Sequence, residues 1–194
     1  MIDCKTSMLL DACYVSSESK NIIKISERYN VNIVKRPKKL SGKNTPIKKV
    51  IKHFIYSLKR NKILPKTIVL IQPTSPYRPK KIIDKLIKEY NKNKLNSLIS
   101  TKEIKNSYFK SIIKVKNKFI VKHPNSFFSN SQELPKIYLP NGMVYIFDVK
   151  RFLEIGNIPL TKIKFINSKL KKDIDIDNKK DYLEAKNFYE KKTK

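Results

Sequence analysis

Apolar positions along the chain recur with two periods, and the two periods alternate. In "IKKVIKHFIYSL" the residues Ile47, Val50, Ile51, Phe54, Ile55 and Leu58 fall on one helical face. From Pro79 onward Ile82, Ile83, Leu86, Ile87 and Tyr90 repeat that spacing, with the proline near a first turn. Between these helices Thr67 to Ile71 is a short unbroken apolar run, the pattern of an interior strand covered on both faces. "DACYVSSES" reads as a strand ending in a polar turn, followed by a helix from Ser19 to about Tyr29, and "VNIVKRP" as a strand stopped by Pro37. "NSLIST", "GMVYIFDV" and "IKFINS" supply further strands, and "DIDIDNKKDYLEAKNFYEK" a strand end capped into a closing helix. Strands alternating with helices of this length predict a parallel sheet of right-handed βαβ units flanked by helices.

After Tyr108 the character changes. "FKSIIKVKNKFIVKH" predicts a hairpin turning near Lys116 and Asn117, and "HPNSFFSNSQELPK" an irregular arm. With no internal repeat or separate linker, residues 1–194 read as one α/β domain carrying an inserted β arm over 109–140.

The apolar run at Thr67 stops abruptly on "QPTSPYR", which places Gln72, Thr74, Ser75 and Arg78 where a strand ends and a helix begins. In open α/β sheets that carboxyl edge is where ligands bind. The competing reading is a plain βα loop, stiffened by prolines, with Thr74 or Ser75 helping to cap the helix.

Charge narrows the partners. The 194 residues include 44 basic and 16 acidic side chains, a net charge of +28. Anionic partners follow: nucleic acid, a membrane surface, or nucleotide and sugar-acid substrates. The basic residues are nearly all lysine and are spread along the whole chain, without an arginine-rich arm or zinc-finger spacing, so most read as solvated faces and nucleic acid is not favoured. No apolar run approaches a membrane span and no signal peptide is visible. Cys4 and Cys13 have no metal-binding spacing, and a reduced, cytoplasmic chain is the expectation. His53, in a helical stretch, reads as a surface or packing residue rather than a ligand. None of the three glycines, Gly42, Gly142 and Gly156, forms a phosphate-cradling loop.

"IQPTSPYR", "ELPKIYLPNGMVYIF" and "DIDID", in this order, together with "VSSESKNIIKISERYNVNIVKRPKKLSG", resemble the CMP-sugar-acid synthetases. These are the acylneuraminate cytidylyltransferases, close to the pseudaminate, legionaminate and Kdo enzymes. The resemblance runs from about Val15 to the end. It implies a Rossmann-like, nucleotide-diphospho-sugar transferase type of fold, and transfer of CMP from CTP to a nine-carbon or similar sugar acid with release of pyrophosphate. It also implies roles. Arg36 matches an arginine that helps hold the nucleotide; Gln72 matches a glutamine contacting the sugar acid, and Lys110 falls where a sugar-binding lysine is expected. Asn141 and Tyr145 match residues lining the sugar pocket, and Asp175 and Asp177 match the carboxylate pair that holds Mg²⁺. A homodimer is implied, with the arm reaching toward the neighbouring subunit.

The residue types suit that chemistry. Hard oxygen ligands suit Mg²⁺, and an amide such as Gln72 can both donate to and accept from hydroxyls. On a strand, Asp173, Asp175 and Asp177 would point to one side and Ile174 and Ile176 to the other. The competing readings are surface arginine for Arg36, core packing for Tyr145, and a simple helix cap for Asp177.

The family's opening loop, which wraps the CTP phosphates, has no counterpart here. Ser131 and Leu139 stand where arginines are usual, and Lys43 where the family is often acidic. The sequence therefore reads as a member whose first βα unit is missing, through truncation, decay or a late start codon, with doubtful activity. Two other classes stand beside it: a non-catalytic remnant that binds a sugar acid or pairs with a homologue, and a basic nucleic-acid-binding protein.

Overall fold

The computed structural model describes residues 2–170 and 174–192. Its helices start and stop where side chains satisfy their ends. Ser19 accepts the Ile22 N–H at 3.5 Å ahead of α2 (Lys20–Arg28), which follows α1 (Ile2–Lys5) and β1 (Tyr14–Ser17). Then come β2 (Asn32–Lys35), α3 (Ile47–Arg60), β3 (Thr67–Leu70), α4 (Ile82–Lys92) and β4 (Ser97–Ile104). The hairpin β5 (Ile112–Val115) and β6 (Lys118–Val121) turns at Lys116, whose φ of 54° is left-handed. A long strand, β7 (Ile137–Asp148), passes directly into α5 (Val149–Ile155), and β8 (Ile163–Asn167) precedes α6 (Lys179–Lys192). Asp148 caps α5 by accepting the Arg151 N–H at 2.8 Å, and Gly156 ends it at a φ of 69°.

Four strands form the main sheet in the order β3-β7-β4-β8. β4 and β8 are parallel, while β7 runs antiparallel to both β3 and β4, so the alternation of elements overstated how parallel the sheet is. β7 is its centre, because Ile146 and Phe147 are both fully buried but on opposite faces. Ile146 packs with Met143, Val144 and Leu98 under Ile83, Leu86, Ile87 and Tyr90 of α4. Phe147 packs with Ile51 and Ile55 of α3 and with Val149 and Phe152 of α5.

β1 and β2 pair in parallel as a separate two-stranded sheet. One helix overlies both sheets: Phe54 of α3 meets Tyr14 of β1 edge-on at 5.5 Å, while Ile68 and Leu70 of β3 pack against Ile51 and Ile55. β1 thus has one edge bonded to β2, β3 has one edge bonded to β7, and no ladder joins them.

Four expectations are corrected. The interior strand expected over Thr67 to Ile71 is an edge strand, Thr67–Leu70, half-buried throughout, because among the described residues only β7 flanks it. α4 begins at Ile82, after a left-handed Lys81 (φ 61°), so Pro79 lies outside its first turn. Residues 174–176 join no ladder; Ile174 is buried and Asp175 exposed, so the alternation survives without a strand, and Asp173 lies outside the described residues. Asn178, not Asp177, caps α6: its side chain accepts the Lys180 and Asp181 N–H groups, and Asp181 reciprocates to the Asp177 and Asn178 amides. Among the described residues no helix is long and apolar enough to cross a membrane.

Candidate functional site

The polar edge expected after β3 is built by a fault in the β4–β7 ladder. Ile99 pairs with Tyr145, yet Thr101 pairs with Pro140, so the stretch from Asn141 to Val144 bulges opposite Ser100. The buried Ser100 hydroxyl fills the gap. It accepts the Val144 N–H at 2.9 Å and lies 2.7 Å from Asn141 Oδ1 and 3.0 Å from the Val144 carbonyl. Asn141 donates to Ser168 Oγ at 3.1 Å, and its Oδ1 accepts the Met143 N–H at 3.3 Å. Expected to line a pocket, the Asn141 side chain is instead 1% exposed and holds the bulge.

The bulge turns on Gly142, at a φ of 72°. Its carbonyl accepts the Gln72 N–H at 3.2 Å, and the Gln72 carboxamide lies directly against its Cα. Ser75, buried, donates to the Asn141 carbonyl at 2.7 Å and so ties the "PTSP" turn to the bulge rather than capping a helix. Arg78 completes the frame by donating to the Gln72 carbonyl at 2.7 Å and toward the Met143 carbonyl at 3.4 Å. Sequence reasoning placed Arg78 in the polar turn without a role; a guanidinium two short turns from a strand end was the available signal.

The acidic segment arrives from the other side. Ile176 donates to the Thr74 carbonyl at 2.8 Å, and Tyr189 of α6 donates to the Pro76 carbonyl at 2.8 Å. Burial raises the Tyr145 phenol above its ordinary range; the Gly142 backbone opposes that shift, and the Asp175 carboxylate adds to it. Gln72 and Gly142 are therefore in contact just past the carboxyl end of β3, opposite Ser100 midway along β4, and the Gly142 backbone and the Asp175 charge both act on the Tyr145 phenol. Asp175 and Asp177 are exposed hard-oxygen donors without an ion pair among the described residues, a set that fits a hydrated Mg²⁺ sharing phosphate oxygens.

Arg36 and Lys110 stand apart from this cluster. Arg36 follows β2, pairs with Glu18 at 3.2 Å and donates to Ser41 Oγ at 3.1 Å. The Ser41 hydroxyl first, then Glu18's own backbone and Arg36, hold the Glu18 carboxyl below the usual range. Lys110 ends a 3-10 segment (Asn106–Lys110) at the root of the hairpin, and no hydrogen bond or ion pair among the described residues links it to Gln72. Two open clefts lie around α3, one lined by His53, Tyr56, Lys59 and Arg60, the other by the loop before the helix; Gln72 lines neither.

No protein-family model matches the chain. Among solved structures it superposes on a CMP:2-keto-3-deoxy-manno-octonic acid synthetase complexed with CTP, over 98% of this chain and 86% of that one, with a TM-score of 0.69 and 7% identity. The fold is that of a nucleotide-diphospho-sugar transferase. A 4-diphosphocytidyl-2C-methyl-D-erythritol synthase from Anaerococcus prevotii shares this transferase fold, over 97% of this chain and 83% of that one, with a TM-score of 0.60 and 16% identity.

Proposed function

We propose that the protein is a nucleotidyltransferase of the CMP-sugar-acid synthetase class. In that reaction the anomeric hydroxyl of a sialic-acid-like sugar attacks the α-phosphorus of CTP; a phosphorus–oxygen bond forms as the bond to pyrophosphate breaks. The observation that supports the reading is the contact of Gln72 with Gly142 just past the carboxyl end of β3, beside a Tyr145 phenol that feels the Asp175 charge, on a fold shared with a CTP-complexed synthetase. Gln72 orients the sugar acid through its amide, Tyr145 flanks it, and Asn141 acts through the bulge that presents Gly142. Lys110 approaches the sugar carboxylate from the arm, and Arg36 holds the nucleotide when its pairing with Glu18 is exchanged. Asp175 and Asp177 would hold Mg²⁺, which neutralises charge on the phosphates. The protein's own work is positioning and charge compensation. We place it in the cytoplasm as a homodimer joined through the arm.

No phosphate-cradling glycine loop occurs within the 194 residues, and losing one preorganised donor commonly costs roughly a hundred- to a thousand-fold in rate. The expected turnover of this chain is accordingly far below an efficient synthetase. A pyrophosphate-release assay with CTP, Mg²⁺ and a panel of sialic, pseudaminic, legionaminic and Kdo acids is the test. Slow release that depends on one sugar acid and is abolished by Gln72→Ala supports the reading. Binding of a sugar acid without any release favours the non-catalytic alternative.

A further inference from the structure

The loop that joins β2 to α3 encloses an open cleft of about 630 Å³ whose lining includes Lys39, Lys43 and Lys49. All three lysines are exposed, and none has a carboxylate within 4.0 Å among the described residues. Three ammonium groups around one depression repel each other, and Glu18, the carboxylate that interacts with Ser41 of this loop, is already taken by Arg36. The same cleft receives the start of α3, where Pro46 provides no side-chain cap and the first turn contains no acid. Lys48 and Lys49 instead add cations to the positive end of the helix. A local arrangement that violates both pairing and capping rules is what a bound anion would correct. The Gly42–Thr45 turn beside the cleft is closed by the Thr45 N–H on the Gly42 carbonyl at 2.9 Å.

We propose that this cleft is a polyphosphate-binding site, with Lys39, Lys43 and Lys49 as its phosphate ligands. It stands on the loop's own geometry: of the residues in the transferase reading only Arg36 borders this loop, through Ser41, while Gln72, Tyr145 and Asp175 are not part of its lining. The polyphosphate is either the tail of a nucleotide or free inorganic pyrophosphate, and the probes separate them.

Calorimetric titration of the full chain with inorganic triphosphate, pyrophosphate, CTP and cytidine tests the proposal. The variants are Lys39→Gln/Lys43→Gln/Lys49→Gln and a charge-matched control, Lys118→Gln/Lys122→Gln/Lys150→Gln. Triphosphate is expected to bind the wild type and the control within about twofold of each other, and the cleft variant about tenfold or more weakly. Cytidine should not distinguish the variants. CTP weakened in parallel with triphosphate identifies a nucleotide tail, and loss confined to the inorganic probes identifies free pyrophosphate. Equal weakening in both triple variants would mean that bulk charge alone attracts the anion, and equal affinity in all three proteins, or no binding to any, would likewise overturn the site. Because the substituted lysines are exposed, unchanged circular dichroism is expected throughout. Gln72→Ala should leave triphosphate affinity intact, which separates failure here from failure of the transferase reading.

Discussion

The Gln72 carboxamide occupies the space that a side chain at position 142 would need: a Cβ on Gly142 would lie 2.4 Å from Gln72 Oε1 and 2.6 Å from Ser75 Oγ. The Asn-Gly of "LPNGM" is thus fixed by close approach as well as by its positive φ. Gly142→Ala should destabilise the fold by roughly 1–3 kcal/mol, through backbone strain and displacement of Gln72. Adding Gln72→Ala should restore part of that loss and no more, since Ser75 and the φ remain. Urea midpoints of the two single variants and the double variant provide the check. A double variant no more stable than Gly142→Ala alone would show that the contact with Gln72 is not what is strained.

Tyr145 should titrate above the ordinary tyrosine range, chiefly because it is buried. Asp175 adds to that shift, so Asp175→Asn should lower the Tyr145 pKa without restoring it fully. Ring-labelled tyrosine followed by NMR from neutral to alkaline pH resolves this residue from the others. An unmoved titration would remove Asp175 from the cluster, and with it the reason to place Mg²⁺ there.

The segment between α1 and β1 is moored to α4 by Asp84, which accepts from the Ser7 hydroxyl and, at 3.2 Å, from the Met8 N–H. The Ser7 hydroxyl foremost, then the Met8 amide, depress the Asp84 pKa. A depressed folded-state pKa means the tether is fully formed above the ordinary aspartate value of about 3.9 and is lost as pH falls through the lower, folded value. Wild-type amides of residues 7–10 should therefore open only in strong acid, whereas Asp84→Asn should open them at pH 7. Hydrogen exchange read by mass spectrometry distinguishes the two.

Phe119 on β6 is 72% exposed, Phe128 beyond it 92%, and Ile112, Ile113 and Ile120 of the hairpin are also exposed. In the proposed homodimer, Ile113→Lys/Phe119→Lys should shift the sedimenting species to monomer while leaving the main sheet folded. Persistence of the dimer would shift attention to the free edges of β1 and β3.

Periodicity made α3 and α4 legible, since their apolar faces meet the sheet as spaced. The open flank of β3 was not legible, because an apolar run specifies burial and not which neighbours supply it. α5 was missed for its seven-residue length, although Asp148 and Gly156 marked both its ends. The convergence of Gln72 with Gly142 could be anticipated only by likeness to other chains. What produces it, a register fault filled by the Ser100 hydroxyl, lies in cross-strand geometry that no spacing along one strand encodes.

The division into two sheets has a dynamic consequence. β1, β2 and α2 pack among themselves and meet α3, which overlies the main sheet, through side chains such as Tyr14 against Phe54, with no ladder between the two sheets. Such a unit can open sub-globally at a lower free energy than the β4–β7–β8 core, so its amides exchange sooner. Arg36, at the end of β2, travels with that unit. Gln72, clamped by Arg78 to the central strand, stays with the other, so sub-global opening of the first unit would change the spacing between these two residues.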